Sequence, residues 1–213
     1  MLEKLPDLVG QVLRGQRAGL DKTAFHAIDL RAGMAAIRVG SLAFADHAPI
    51  PERYTADGDG DSPPLHWSGV PEAAASVAVI VEDADSPTPQ PLVHAIVVGL
   101  SAGDGGLAEA ALPSRDHDGS GLRVGRNSYL QAAWLPPDPP PGHGVHRYVF
   151  QVFALEAGAE LEGEPGRDAL LEAIRDHGLA SGCLIGTYER PDTSIRTPAD
   201  TDAVPIGVAP LAT

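Results

Sequence analysis

Cysteine and long apolar runs are almost absent from this sequence of 213 residues. The single cysteine, Cys183, cannot form an intrachain disulfide, and the amino-terminal MLEKLPDL lacks the long uncharged core of a signal peptide. No stretch approaches the roughly 18 apolar residues that a membrane-spanning helix needs. We therefore expect a protein of the reducing cytoplasm with no membrane span.

Basic side chains are also few, with 15 Lys and Arg against 29 Asp and Glu and a formal net charge of −14. A nucleic-acid partner would require a basic patch, and because the sequence contains no such cluster we expect no nucleic-acid partner. An acidic surface repels anions at long range, but salt screens that repulsion beyond about 8 Å. A site for an anion would therefore have to supply its own positive charge.

The composition favours β structure. Hydrophobic residues make up 43% of the chain, enough to bury one sizeable core, and the 24 glycines and 20 prolines favour short elements joined by many turns. From about Ala35, β-branched runs alternate with Pro-, Gly- and Asp-rich segments, a pattern typical of strands. The runs are IRVGSLAF, SVAVIVED, VHAIVVGL, HRYVFQVFAL and CLIGTYER. In YVFQVFAL both faces are largely apolar, which predicts a central strand in a two-layer core.

The amino-terminal region differs from this pattern. Leucines and valines at helical spacing between Leu2 and Leu20 predict an amphipathic helix, and we assign residues 1–33 to an amino-terminal helical extension of the domain over residues 34–190. Such a helix either lies on the surface of its own domain or forms a dimerisation arm.

Two further segments lie outside the predicted strands. DALLEAIRDHG has helical spacing, begins at the acidic Asp168 and stops at Gly178, which predicts one peripheral helix. Residues 191–213 contain four prolines and no regular period. We expect this tail to be held against its own domain or a neighbouring subunit, because unanchored termini are seldom ordered.

Residues capable of chemistry gather in two segments. In the first, a predicted strand ends at Asp83 and the next strand begins at His94. Carboxylates at a strand end followed by Ser-Pro are most simply turn formers. In the second, the stiff loop PPDPPPGHG leads into a strand on which His146 and Tyr148 share one face. A rigid loop holds ligand-contacting groups at little entropic cost.

Together these segments resemble the phosphatidylethanolamine-binding protein family, in particular its bacterial branch of Raf-kinase-inhibitor-like proteins. The resemblance runs from about Ser41 to Arg190 through five ordered motifs: PERYTADGDGDSPPLHWSGVP, SVAVIVEDADSP, VHAIVV, PPPGHGVHRYVFQVFAL and HGLASGCLIGTYER. It implies a mainly β fold, a β-sandwich of Greek-key antiparallel strands with peripheral helices. It also implies a binding protein rather than an enzyme.

The resemblance assigns roles residue by residue. The family's pocket is lined by an aspartate from a DPDAP-like turn, a histidine that opens the next strand, and a histidine and tyrosine from a G-x-HRY segment. These correspond here to Asp83, His94, His146 and Tyr148. The proline-rich loop is implied to form the rim, together with an aromatic residue just before it, and the corresponding residues are Asp138, Pro139, Pro140 and Trp134.

Two departures from the family's pattern affect the turn and the rim. DADSP lacks the proline between the family's two aspartates, and residues 135–137 replace the Gly-Pro of its loop. In addition, Asp138 stands where the family commonly has a small residue or cysteine. We expect its negative charge to weaken the affinity for an anion.

The pocket residues suit a phosphoryl group. A protonated imidazole donates from both nitrogens, and a carboxylate such as that of Asp83 fixes which nitrogen faces the ligand. We therefore expect a regulator that binds phosphate or a phosphoryl head group, with a kinase or serine protease as protein partner by family resemblance, and homodimerisation stays open. The alternative is a hydrolase or metal-dependent enzyme that uses Asp83, His94 and His146 as acid, base and ligand.

Support for a metal or cofactor is weak. Five side chains could supply zinc ligands in number, namely Asp83, Asp85, His94, His143 and His146, but no close pair of helix-borne ligands occurs, and we expect His143 at the loop surface. The acidic run of residues 57–61 fails the calcium-loop template, because Ser62 and Ser68 stand where glycine and glutamate are required. We expect no metal and no cofactor.

Overall fold

The computed structural model describes residues 11–28, 30, 36–114 and 121–190. Strands dominate this part of the chain, and their bounds are β1 Arg38–Gly40, β2 Leu65–Ser68, β3 Ser76–Asp83, β4 Leu92–Ser101, β5 Gly105–Leu107, β6 Arg123–Gly125, β7 His146–Leu155 and β8 Gly178–Tyr188. Two α-helices are described, α1 Ala24–Ala27 and α2 Arg167–His177, together with single 3-10 turns at Leu20–Lys22 and Glu52–Tyr54. The mainly β class predicted from the sequence is confirmed.

The described strands form two antiparallel sheets. The smaller sheet has the order β1-β2-β5 and the larger sheet has the order β6-β4-β3-β7-β8. In the larger sheet β3 lies between β4 and β7, and β7 pairs with β8 along its length. The prediction that YVFQVFAL lies in a central strand is therefore confirmed.

The larger sheet is apolar on both faces. One face packs against the smaller sheet and the loops beside it, through residues such as Val79, Trp67 and Phe150. The other face packs against α1 and α2, through residues such as Ile80, Phe153 and Leu170. Because successive residues of a strand point to opposite faces, the continuous apolar runs of β3 and β7 supply both cores. The sheet is thus a rigid platform whose ends can carry a site.

The amino-terminal prediction is corrected in the part that the structure describes. Residues 11–13 are helical, but residues 16–19 are not, so the helix predicted up to Leu20 ends earlier. Gly19, whose φ is 108°, has a backbone conformation that a helix does not permit. The rest of that helix, and the tail of residues 191–213, lie outside the described residues. Among the described helices, none has the length and apolarity to span a membrane.

Candidate functional site

Sheet topology brings the two predicted segments together. Since β3 runs antiparallel to both of its neighbours, its last residue lies beside the first residues of β4 and β7. Asp83 pairs in register with Leu92 on β4 and with Tyr148 on β7. His94 and His146 stand within two residues of those positions, so the four side chains predicted to line the pocket meet at one end of the larger sheet.

Asp83 orients His146. Its Oδ2 lies 2.7 Å from Nδ1 of His146, and its Oδ1 accepts a hydrogen bond of 2.8 Å from the backbone amide of Asp85. Both side chains are buried. The turn after β3 therefore holds the carboxylate, and the carboxylate holds the imidazole, as the sequence predicted.

A third imidazole, His143, completes this chain of contacts. Its Nδ1 lies 2.6 Å from Nε2 of His146, and its Nε2 lies 2.8 Å from the carbonyl oxygen of Leu13. The expectation that His143 lies at the loop surface is wrong, because its side chain is fully buried. The sequence did contain one sign of this contact between imidazoles, because His143 and His146 lie only three residues apart in a tight Gly-rich loop.

The hydrogen-bond pattern fixes where the protons sit. A carbonyl only accepts, so Nε2 of His143 carries the hydrogen that Leu13 receives. Burial, followed by the nearby His146, lowers the pKa of His143 and favours its neutral form, which leaves Nδ1 as an acceptor. Nε2 of His146 then donates to it, while Nδ1 of His146 contacts Asp83.

His94 forms the other side of the site. Its Nδ1 lies 2.6 Å from the carbonyl oxygen of Leu135, which orients the ring and leaves Nε2 facing inward. Burial is the main reason why the pKa of His94 is lowered, with Asp83 opposing it. The ring stands edge-on to Tyr148 with centroids 5.1 Å apart, and its centroid is 6.1 Å from that of Trp134.

Three buried polar atoms of the site have no hydrogen-bond partner in the described part of the chain. They are Nε2 of His94, the hydroxyl of Tyr148 and Nε1 of Trp134. Burial raises the pKa of Tyr148 well above its usual value, so its hydroxyl stays protonated and can donate. An unsatisfied buried polar atom costs about 1–3 kcal/mol, and three of them on neighbouring rings indicate a place where polar atoms of a ligand or water bind.

The rim is held by a residue that the sequence analysis missed. Arg190 donates to Asp138 and to the carbonyl oxygen of Pro139, and its Nε and Nη2 lie 2.6 Å from the carboxylate oxygens of Asp57. Asp138 thus shares the guanidinium of Arg190 with Asp57, and the weakening of anion affinity by Asp138 stays a prediction. Pro139 and Pro140 are buried in the loop rather than exposed at its edge.

On the opposite face of β7, Arg147 binds Asp85. Nε and Nη2 of Arg147 donate to the two carboxylate oxygens of Asp85 at 2.7 Å and 2.8 Å. Burial alone would raise the pKa of Asp85, but the hydrogen bonds from Arg147 and Arg17 outweigh it and lower the pKa to about 2. This ion pair braces the turn that carries Asp83.

The site is nearly closed. Asp83, His94, His146 and Tyr148 are each no more than 5% exposed to solvent. A ligand the size of phosphate can reach their polar atoms only if some part of the surrounding chain moves. As for metal ions, the described residues contain no group of three or more His, Cys, Asp or Glu side chains arranged to hold one.

Comparisons with known proteins agree with this architecture. A family model described as "Phosphatidylethanolamine-binding protein" matches residues 40–189. A UPF0098 protein of Methanothermobacter thermautotrophicus is 38% identical over 148 residues, which cover 70% of this chain and 95% of that protein. A UPF0098 protein of Mycobacterium tuberculosis is 40% identical over 153 residues, covering 72% of this chain and 70% of that protein.

Two solved structures share the fold. A phosphatidylethanolamine-binding protein homologue from Chlamydia trachomatis superposes with a TM-score of 0.65 at 36% identity, covering 73% of this chain and 98% of that one. The E. coli protein YbcL, described as a member of the mammalian phosphatidylethanolamine-binding protein family, gives a TM-score of 0.65 at 28% identity, covering 73% and 99%.

Proposed function

Since the chain belongs to the phosphatidylethanolamine-binding protein family, we propose that it binds phosphate or a phosphoryl head group in the pocket of Asp83, His94, His146 and Tyr148. The supporting observation is the set of three unpartnered polar atoms on His94, Tyr148 and Trp134. Trp134 and Tyr148 offer neutral donors, and the free nitrogen of His94 either accepts from a protonated phosphoryl oxygen or donates once it is protonated. These capacities match a tetrahedral oxyanion.

The hydrogen bonds of the nearby carboxylates support the same ligand class. Oδ2 of Asp83 contacts Nδ1 of His146, and Oδ1 of Asp83 accepts from the amide of Asp85, so both oxygens are engaged. Arg190 donates to Asp138 and also to Asp57. An incoming anion would therefore find these carboxylates held by their own partners, with the free donors of Tyr148 and Trp134 available to it.

By the same family resemblance we propose a regulatory role exerted on a kinase or a serine protease in the cytoplasm. We assign binding to the domain of residues 34–190, with residues 1–33 and 191–213 as extensions and homodimerisation as a further proposal. The burial of the pocket favours a small head group over a bulky substrate. Turnover of a phosphate ester would favour the alternative of a hydrolase that uses Asp83, His94 and His146.

The test is a calorimetric titration of phosphate and of phosphorylethanolamine into the native protein and two matched variants. Tyr148→Phe removes only the unpartnered hydroxyl, whereas Tyr54→Phe removes a hydroxyl that lies 2.5 Å from Glu109 and outside the pocket. We expect Tyr148→Phe to weaken binding about tenfold, as the loss of one hydrogen bond to a charged group does, and Tyr54→Phe to leave it unchanged. Equal affinities for all three proteins would refute the assignment.

A further inference from the structure

A segment before the family-matched region contacts both loops of the site. The segment comprises residues 11–19, and we call it the strap. Its backbone amides at Ala18 and Gly19 donate to the carbonyl oxygens of Ser86 and Ala84 at 2.9 Å and 2.8 Å. These carbonyls belong to the turn that directly follows Asp83, so one end of the strap is fixed beside the pocket.

The strap also holds the loop that carries the imidazoles. Arg14 donates to the carbonyl oxygen of Gly142 at 3.1 Å, and Arg17 donates to that of Val145 at 2.8 Å. Nη1 of Arg17 lies 2.8 Å from Asp85 as well, so one guanidinium joins the two loops. The strap thus bridges the turn after β3 and the loop before β7.

The innermost strap contact reaches the pocket itself. The carbonyl oxygen of Leu13 receives the hydrogen bond of His143, whose other nitrogen contacts His146. A backbone atom of the strap is therefore two contacts away from His146, whose ring lies 6.4 Å from that of Tyr148, centroid to centroid. Displacing the strap would leave the buried Nε2 of His143 without this acceptor and free the His143 ring to move.

We propose that the strap is a reversible cover of the histidine pocket, and that His143 is the positioning residue through which the docked strap holds His146. This inference rests on the proposed function only for the identity of the ligand. It accounts for the burial of His143, whose side chain is hydrogen-bonded to the strap carbonyl of Leu13. Ligand entry then requires the strap to lift, and ligand affinity falls with the fraction of molecules in which it is docked.

The strap can detach from the domain while the rest of the domain stays folded. Of its nine residues, Ala18 alone is buried, and the Val12 side chain is 74% exposed. Exposed polar contacts that bury little apolar surface are characteristic of segments that open locally. The strap also precedes residue 40, where the match to the family model starts.

The experiment compares the full-length protein with the double variant Arg14→Ala/Arg17→Ala. Arg126→Ala is the matched control, because Arg126 is another guanidinium that donates to a backbone carbonyl, that of Glu164, away from the strap. The first measurement is hydrogen–deuterium exchange at the C2 carbons of the histidines, located by mass spectrometry. We expect exchange at His143 and His146 to be about tenfold faster in the double variant and unchanged in the control, as for a cover docked about nine-tenths of the time.

Hydrogen exchange reports only how exposed the imidazoles are. Two further measurements test whether the strap positions His146 and whether phosphate is the ligand. The ¹⁵N signals of Nδ1 and Nε2 of His146 form its native signature, and this signature should change in the double variant because His143, which contacts Nε2, is no longer fixed. Phosphate should bind the double variant about tenfold more tightly than the native protein. Faster imidazole exchange and a changed His146 signature without any phosphate binding would support the strap and refute phosphate as ligand.

Other results would overturn the strap proposal. Native exchange rates and a native His146 signature in the double variant would show that the strap does not cover the pocket. Equal phosphate affinity of the native and double-variant proteins, with measurable binding to both, would do the same and leave the proposed function intact.

Discussion

The ring of His94 stands edge-on to that of Tyr148 with centroids 5.1 Å apart and an interplanar angle of 83°. Nε2 of His94 and the hydroxyl of Tyr148 both lack partners among the described residues. Packing has therefore ordered the two rings without satisfying Nε2 of His94 or the hydroxyl of Tyr148. Such an arrangement costs stability in the empty protein, and a ligand that hydrogen-bonds both atoms would recover it.

This cost predicts how Tyr148→Phe affects stability. Removing an unsatisfied buried hydroxyl should leave the free energy of unfolding unchanged or raise it by about 1 kcal/mol. Tyr54→Phe should lower it by about 1 kcal/mol, because the hydroxyl of Tyr54 is hydrogen-bonded to Glu109. Urea unfolding of both variants measures the difference, and an equal loss in the two would mean that the Tyr148 hydroxyl has a partner.

Anion binding should strengthen as the pH falls. Burial lowers the pKa of His94 in the free protein, whereas an anion beside Nε2 would raise it, so binding takes up a proton. The gain is complete below the pKa of the free form and is lost as pH rises through the pKa of the bound form. We expect sulfate, whose own charge is constant over this range, to bind up to about tenfold more tightly at pH 6 than at pH 8.

His94→Gln supplies the control for this titration. Glutamine keeps a polar group at the position but does not titrate. The variant should bind sulfate with little dependence on pH, and an unchanged pH profile would assign the effect to another group.

Arg190 should be a main determinant of stability. It is buried and satisfies Asp57, Asp138 and the loop carbonyl of Pro139. Arg190→Met would remove the one cation that these two carboxylates share, so we expect a loss of about 3 kcal/mol in urea unfolding. Arg53→Met is the matched control, because Arg53 pairs with Glu109 and Asp61 at the exposed surface and should cost less than about 1 kcal/mol. Similar losses in the two variants would argue against a main role of Arg190 in stability.

The thiol of Cys183 should react slowly with alkylating reagents in the folded protein. Burial, followed by the nearby Asp46, raises the pKa of its thiol to about 11. Because the thiolate is the reactive form, alkylation by iodoacetamide at pH 8 should be at least about tenfold slower in the native protein than in urea. Equal rates would show that this thiol is accessible and unshifted.

The sequence was most informative where its periodicity was long. SVAVIVED and HRYVFQVFAL coincide with β3 and β7 residue for residue, since a strand buried on both faces has a continuous apolar signal. The strands β2, β5 and β6 are three or four residues long, which is too short for any period to be recognised. The predicted helix at Asp168 differs from α2 only at its ends.

The candidate site was predictable in part for the same physical reason. The four pocket residues followed from the family resemblance of motifs at strand ends, and antiparallel pairing then placed them together. Contacts between distant segments had no local signal, since Arg190 reaches Asp57 across 133 positions and His143 reaches Leu13 across 130. Such pairs depend on tertiary packing and could not be read from composition or spacing.

The most direct test of the pocket uses the two tryptophans of the protein. Nε1 of Trp134 has no partner among the described residues, whereas Nε1 of Trp67 donates to the carbonyl oxygen of Gly103 at 3.1 Å. Adding phosphate to ¹⁵N-labelled protein should move the indole N–H signal of Trp134 downfield, as a new hydrogen bond forms, and leave that of Trp67 in place. Saturating phosphate that moves neither signal, or moves both alike, would contradict the pocket.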